Sequence, residues 1–236
     1  MRTVLFDLDG TLLPMNMDRF TKDYFGYLAS HFADLIDGQE LARQILNASD
    51  MMIRSKDLRT NETVFMEQFG RNFPGELELY QERFSTFYDT GFLQLQKDLV
   101  PNSHMIDSVQ LFKTKGYRLV VATNPIFPLK ANLHRINWAG LNPEDFSYIA
   151  CFEQNCYCKP NIEYYSEVLS AINESPENCL MVGNDVQEDL IAKQLGIKTY
   201  LIENCRIHRG GEIITDYQGC YEDFYHFVQA LPSVNL

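Results

Sequence analysis

A chain of 236 residues with 45% apolar composition can bury a substantial core, as one large domain or two smaller ones. Its formal net charge of -12 argues against a polyanion such as DNA as the main partner, while leaving room for a local basic pocket that holds a small phosphate. No apolar run approaches the roughly 20 residues that span a bilayer and no charged-then-apolar leader opens the chain, so a cytoplasmic protein without a membrane partner is expected.

The first predicted element is the run Val4-Leu5-Phe6-Asp7-Leu8-Asp9-Gly10-Thr11, apolar until it ends in two carboxylates, a glycine and a hydroxyl. Apolar residues on both faces suit an interior strand of a parallel sheet covered by helices on each side. Side chains alternate along a strand, so Asp7 and Asp9 project to one side if the extended geometry persists, and Gly10 then permits a sharp turn. Ligands of such sheets gather at the carboxyl ends of the strands. Taken alone, the acids are equally well explained as turn formers or caps.

From residue 15 to residue 97 the texture becomes helical. Phe20, Tyr24, Tyr27, Leu28 and Phe32 recur at helical spacing, as do Leu41, Ile45 and Leu46, then Leu77, Tyr80, Phe84 and Phe87. Gly38, Asn61 and Phe73-Pro74-Gly75 divide this block into about four helices. Strand signals resume only near Tyr117, after Pro101 and a helix carrying Ile106, Val109 and Phe112. Residues 15–97 therefore read as an insert into a core formed by residues 1–14 and 98–236. The aromatics Tyr24, Tyr27, Phe84 and Phe87, and likewise Trp138, are assigned to hydrophobic core rather than to a binding cage.

Beyond the insert, strand and helix alternate: a strand over 118–122, a helix over 128–136, a strand over 148–152 and a helix over 164–172. A strand over 180–182, a helix over 190–195 stopped by Gly196, a strand over 198–202 and a last helix over 221–231 complete the series. Right-handed crossovers make this an α/β, Rossmann-like, doubly wound and mainly parallel sheet with the loops after each strand on one edge. Cys151, Cys156, Cys158, Cys179, Cys205 and Cys220 contain no C-x-x-C pair, so reduced thiols are expected and a metal site of Cys156, Cys158 and His208 is not.

Each of these strands is followed by chemistry. Thr123-Asn124-Pro125 comes after the second, Lys159-Pro160 follows the third within an irregular stretch, and Gly183-Asn184-Asp185 follows the fourth, with Asp189 four residues beyond Asp185. Singly, a strand-end threonine is usually structural and a lone lysine usually solvated. Together, the sequence resembles the haloacid dehalogenase superfamily of phosphohydrolases, whose four motifs are matched in order by Asp7-Leu8-Asp9-Gly10-Thr11, Thr123, Lys159 and Gly183-Asn184-Asp185-x-x-x-Asp189. The insert falls where members with a cap between the first and second motifs carry it.

The resemblance implies roles. Asp7 is the nucleophile that forms an aspartyl-phosphate, and Asp9 the general acid that then becomes the base activating water. Mg²⁺ is the implied cofactor, held by the Asp7 carboxylate, the Asp9 backbone carbonyl and Asp185, because two carboxylates so close need a hard cation. Thr123 and the Asn124 amide would bind phosphate, and Lys159 would add positive charge to it. Asp189 would hold a metal-bound water or orient its neighbours, and Thr11 would contact phosphate or tie the turn.

One position departs from the family pattern. Many relatives place an acid directly after the motif glycine, where this chain has Asn184; either Asp185 takes the metal or Asn184 does, with Asp185 behind it. The second acid, Asp9, separates phosphoryl-transfer members from dehalogenases. The helical cap would act as a lid, with Arg54, Lys56 and Arg59 either contacting substrate or forming a solvated helix end. A Mg-dependent phosphatase on a small phosphorylated metabolite is the expectation; a sugar-phosphate mutase and a catalytically idle binding protein are the alternatives.

Overall fold

The computed structural model describes residues 1–234. Its sheet carries six strands among these residues: β1 (Thr3–Phe6), β2 (Arg118–Val121), β3 (Tyr148–Ile149), β4 (Cys179–Gly183), β5 (Lys198–Ile202) and β6 (Tyr217–Gly219). All neighbours pair in parallel, in the order β3-β2-β1-β4-β5-β6. The continuous apolar character of β1 follows from burial on both sides. Val4 and Phe6 enter one core cluster while Leu5 enters the other, and Leu180 and Val182 against Met181 divide in the same way on β4.

The residues between β1 and β2 form helices α1 (Met17–His31), α2 (Gly38–Arg54), α3 (Asn61–Gly70) and α4 (Leu77–Asp89), then a 3-10 segment at Gly91–Asp98 and α5 (Ser103–Thr114). Side-chain oxygens of Asn16, Asp37 and Thr60 cap the first three, which is why these helices begin there. An aromatic cluster joins them: Phe32 lies against Tyr80 and Phe84, and Phe69 against Phe73, Tyr80 and Phe84. The start of α3 is tied to the loops that follow β2 and β3, with the Asn61 amide donating to the Asn155 carbonyl (2.8 Å), the Glu62 amide to the Phe152 carbonyl (2.9 Å), and Asn61 Nδ2 to the Pro125 carbonyl (3.2 Å).

The core helices are α6 (Leu129–Trp138), α7 (Ile162–Ala171) and α8 (Tyr221–Ala230). Three elements differ from the sequence reading. The third strand stops at Ile149, because Asn155 Oδ1 accepts from the Cys151 amide (3.0 Å) and turns the chain away from the sheet. The segment Leu190–Leu195 is 3-10 rather than α-helical, closed by Gly196 at φ +91°. Strand β6 has no sequence signal, because it is a three-residue edge strand with Tyr217 and Gln218 exposed and carries no apolar run. All six cysteines are free, and no group of three or more Cys, His, Asp or Glu suited to a metal occurs among the described residues. No helix of the described residues is long and apolar enough to cross a membrane.

Glu174 staples the start of β1 to the start of β4. Its carboxylate accepts from Arg2 Nε (2.9 Å), Thr3 Oγ1 (3.1 Å) and Asn178 Nδ2 (3.0 Å). The Arg2 hydrogen bond, acting against burial, pulls its pKa from 4.5 down to about 2. A depressed carboxyl stabilises the fold fully above its unfolded value, so this contribution is complete above pH 4.5 and is lost as pH falls through about 2. Because Arg2 is largely exposed, Glu174→Gln is expected to cost only about 1 kcal/mol in denaturant unfolding at pH 7, with the difference vanishing in acid.

Candidate active site

Strands β1 and β4 are neighbours in register, Phe6 beside Val182, and the Asp7 amide continues the ladder to the Val182 carbonyl at 2.9 Å. The turns that follow these two strands therefore meet. Gly10 sits at φ +86°, and a Cβ there would lie 2.3 Å from Asn184 Nδ2. A Cβ on Gly183 would lie 2.1 Å from Asp189 Oδ2, so only glycine lets Asp189 fold back under the turn.

Lys159 is buried at the centre of this edge. Its Nζ donates to Asp7 Oδ1 (2.9 Å) and to Asp189 Oδ1 (2.6 Å). Burial opposes the charge, but Asp189 and Asp7 outweigh it and hold the ammonium's pKa well above the usual lysine value. The other oxygen of Asp189 accepts from the Asp185 amide (2.9 Å), so Asp189 orients both the lysine and the turn. Burial pushes the Asp189 carboxyl upward, with Lys159 opposing the rise.

Asn124 joins the second loop to the third. Its Oδ1 accepts from the Lys159 amide (3.2 Å), and its Nδ2 donates to Glu188 (3.1 Å). Thr123 is buried, and its carbonyl accepts from the Tyr164 hydroxyl at 2.7 Å. Thr11 and Asn184 are buried and bonded to each other. The Thr11 hydroxyl donates to Asn184 Oδ1 (3.0 Å), and Asn184 Nδ2 donates to the Cys205 carbonyl (2.7 Å), so both polar ends of Asn184 are engaged. Asp185 is engaged as well. Its Oδ1 accepts from the Gln187 and Glu188 amides and from Arg209 (2.8 Å).

Asp9 has a partner the sequence reading missed. Arg135 on α6 is fully buried, with its guanidinium bonded to Asp9 Oδ2 and to Asn132 Oδ1 and lying 4.4 Å from the centre of the Phe127 ring. Asp9 Oδ1 is buried without a hydrogen-bond partner among the described residues. Burial raises the Asp9 carboxyl above the usual aspartate range, Arg135 pulls it back, and Asp7 adds to the rise. A signal existed: Arg135 interrupts the apolar face of Ala131, Ile136 and Trp138, and an arginine is seldom fully buried without a partner.

Arg54, Lys56 and Arg59, read as substrate contacts or a solvated helix end, are all exposed and ion-paired. Arg54 pairs with Asp50 one turn earlier on the exposed face of α2 (2.9 Å), Lys56 pairs with Glu163 (3.1 Å), and Arg59 pairs with Asp57 (2.7 Å). Solvated ion pairs account for all three. A cavity of about 440 Å³ does lie at the seam of the helical block and the core, and none of the three lines it. Tyr24 and Phe84, assigned to core, are both buried and part of its wall. Trp138 is buried and stacks on Phe92.

An acid pair, a buried lysine and an aspartate-bearing turn thus lie together at the carboxyl edge of a parallel sheet, where the ligands of such sheets gather. The chain belongs to the haloacid dehalogenase-like hydrolases, whose family model matches residues 1–196. Among curated relatives, a pyrophosphatase PpaX of Halalkalibacterium halodurans is 23% identical over 214 residues, covering 85% of this chain and 82% of that protein. A glyceraldehyde 3-phosphate phosphatase of Methanothermobacter thermautotrophicus is 27% identical over 126 residues, half of each chain. Among solved structures, a phosphatase of this family from Thermococcus onnurineus superposes with a TM-score of 0.62 at 19% identity, covering 99% of this chain and 100% of that one; at that identity the likeness speaks for the fold.

Proposed function

We propose that the protein is a magnesium-dependent phosphatase that hydrolyses a small phosphorylated metabolite in the cytoplasm through an aspartyl-phosphate. The observation that carries this reading is Lys159 Nζ, buried between Asp7 and Asp189, beside an Asp9 carboxyl with one free oxygen. Lys159 engages Oδ1 of Asp7 and leaves Oδ2 to attack phosphorus. As the new oxygen-phosphorus bond forms and the ester bond breaks, the departing oxygen takes a proton from Oδ1 of Asp9, whose Oδ2 is held by Arg135. Water then attacks the aspartyl-phosphate while Asp9 recovers the proton, releasing phosphate and regenerating Asp7. Thr123 and the Asn124 amide receive the phosphate oxygens at the end of β2, and Lys159 stabilises the charge spread over them.

Hard oxygen donors on adjacent strand ends, namely the Asp7 and Asp185 carboxylates with the Asp9 carbonyl, suit Mg²⁺. When bound there, the ion would neutralise the acids and the phosphate together. The helical block is the natural cap over this edge, since α3 is hydrogen-bonded to the loops after β2 and β3. The test is hydrolysis of p-nitrophenyl phosphate with Mg²⁺ and with excess chelator. A rate near background in chelator, restored by Mg²⁺, is expected; equal rates in both would sink the metal requirement, and no turnover in either would sink the phosphatase.

A further inference from the structure

The cavity at the seam is walled mainly by carbon. Tyr24, Phe65 and Phe84 face it from the helical block, and Ile126, Phe127 and Phe152 from the core. At about 440 Å³ it falls in the range, roughly 300–1,000 Å³, of sites that enclose small organic molecules. Its charged groups lean negative. Glu62 and Glu153 both line it; burial raises the Glu62 carboxyl, with Glu153 adding to the effect. Lys130, which also lines it, is already paired with Asp89 at 2.8 Å.

The catalytic side chains do not line this space, yet they are close to it. Phe127, four residues past Thr123 on the same loop, contributes one wall, and the guanidinium that holds Asp9 lies 4.4 Å from the centre of that ring. A phosphate ester seated over Asp7, with its bridging oxygen at Asp9, thus has the organic side of the molecule next to the cavity.

We infer that this cavity takes the organic part of the substrate, an apolar group that carries no negative charge of its own. The inference rests on the phosphatase reading and narrows it. It sets this chain apart from the pyrophosphatase named among its relatives: pyrophosphate is anionic at both ends, would leave an aromatic chamber unfilled, and has nothing to gain beside two carboxylates.

Binding of non-hydrolysable phosphonates, followed by calorimetry in Mg²⁺, tests this apart from turnover. Phenylphosphonate is expected to bind about tenfold more tightly than methylphosphonate, from the apolar area it buries, and about tenfold more tightly than 4-carboxyphenylphosphonate. In Glu62→Gln the penalty on the carboxylated probe shrinks, a ratio taken within one preparation and so independent of the fraction folded. Ser49→Trp, which fills the cavity from α2, is expected to abolish the advantage of phenyl over methyl while the protein still melts cooperatively. Methylphosphonate binding as tightly as phenylphosphonate, or the carboxylated probe binding best, would overturn the inference whatever the enzyme's activity. Failure to hydrolyse p-nitrophenyl phosphate, with these preferences intact, would instead count against the phosphatase chemistry alone.

Discussion

Asp7→Asn is expected to lower p-nitrophenyl phosphate hydrolysis by roughly 10³-fold or more while leaving the fold in place. Asparagine has nearly the same shape and keeps the backbone bond to Val182, but an amide oxygen is a poor nucleophile and forms no stable phosphoryl ester. The second consequence concerns Lys159. With Asp7 neutral, the ammonium retains Asp189 at 2.6 Å, so a buried charge is not stranded and stability should fall by only about 1–2 kcal/mol. Asp189→Asn provides the contrast: it keeps the nucleophile but removes the carboxylate that orients the lysine and accepts from the Asp185 amide. Steady-state rates beside denaturant unfolding of both variants check the pair of statements. An Asp7→Asn protein that unfolds as readily as Asp189→Asn, or that keeps full activity, would contradict the assignment.

The parts of this site that could be read from the sequence are those carried by short stretches of chain. Asp7, Asp9, Thr123, Lys159 and Asp185 each stand within a few residues of a strand end or of the lysine loop, and a parallel sheet collects such ends on one edge. The two-sided burial of β1 is legible for the same reason, because a strand covered on both faces has no polar alternation. What stayed hidden depends on distant pairings. Arg135 acquires its meaning only when α6 packs beside the turn after β1, bringing together residues 126 apart in sequence. Thr11 and Asn184, 173 residues apart, become a brace only when the Gly10 turn presses against Asn184. In the helical block, apolar aromatics and not the basic residues line the cavity, and spacing alone cannot separate a wall from a core.

The Asp9 and Arg135 pair should show a lopsided response to mutation. Removing the arginine leaves a carboxyl that is partly exposed and already raised in pKa by burial, so it can relieve its isolation by taking up a proton. Removing the carboxylate leaves a guanidinium with no exposed surface, facing neutral Asn132, the Ala131 carbonyl and the Phe127 ring, and a guanidinium does not give up its proton. Asp9→Ala is therefore expected to destabilise the fold by about 3–5 kcal/mol and Arg135→Met by less, with the double variant recovering part of the loss, as denaturant unfolding of the full cycle would show. Activity should separate by leaving group. Once Arg135 no longer fixes Oδ2 of Asp9, protonation of the departing oxygen suffers, and esters of weakly acidic alcohols need that proton far more than p-nitrophenyl phosphate does. Arg135→Met should thus lose roughly 10²-fold in kcat on an alkyl phosphate and much less on p-nitrophenyl phosphate, with little change in KM. An equal loss on both substrates would assign Arg135 to structure alone.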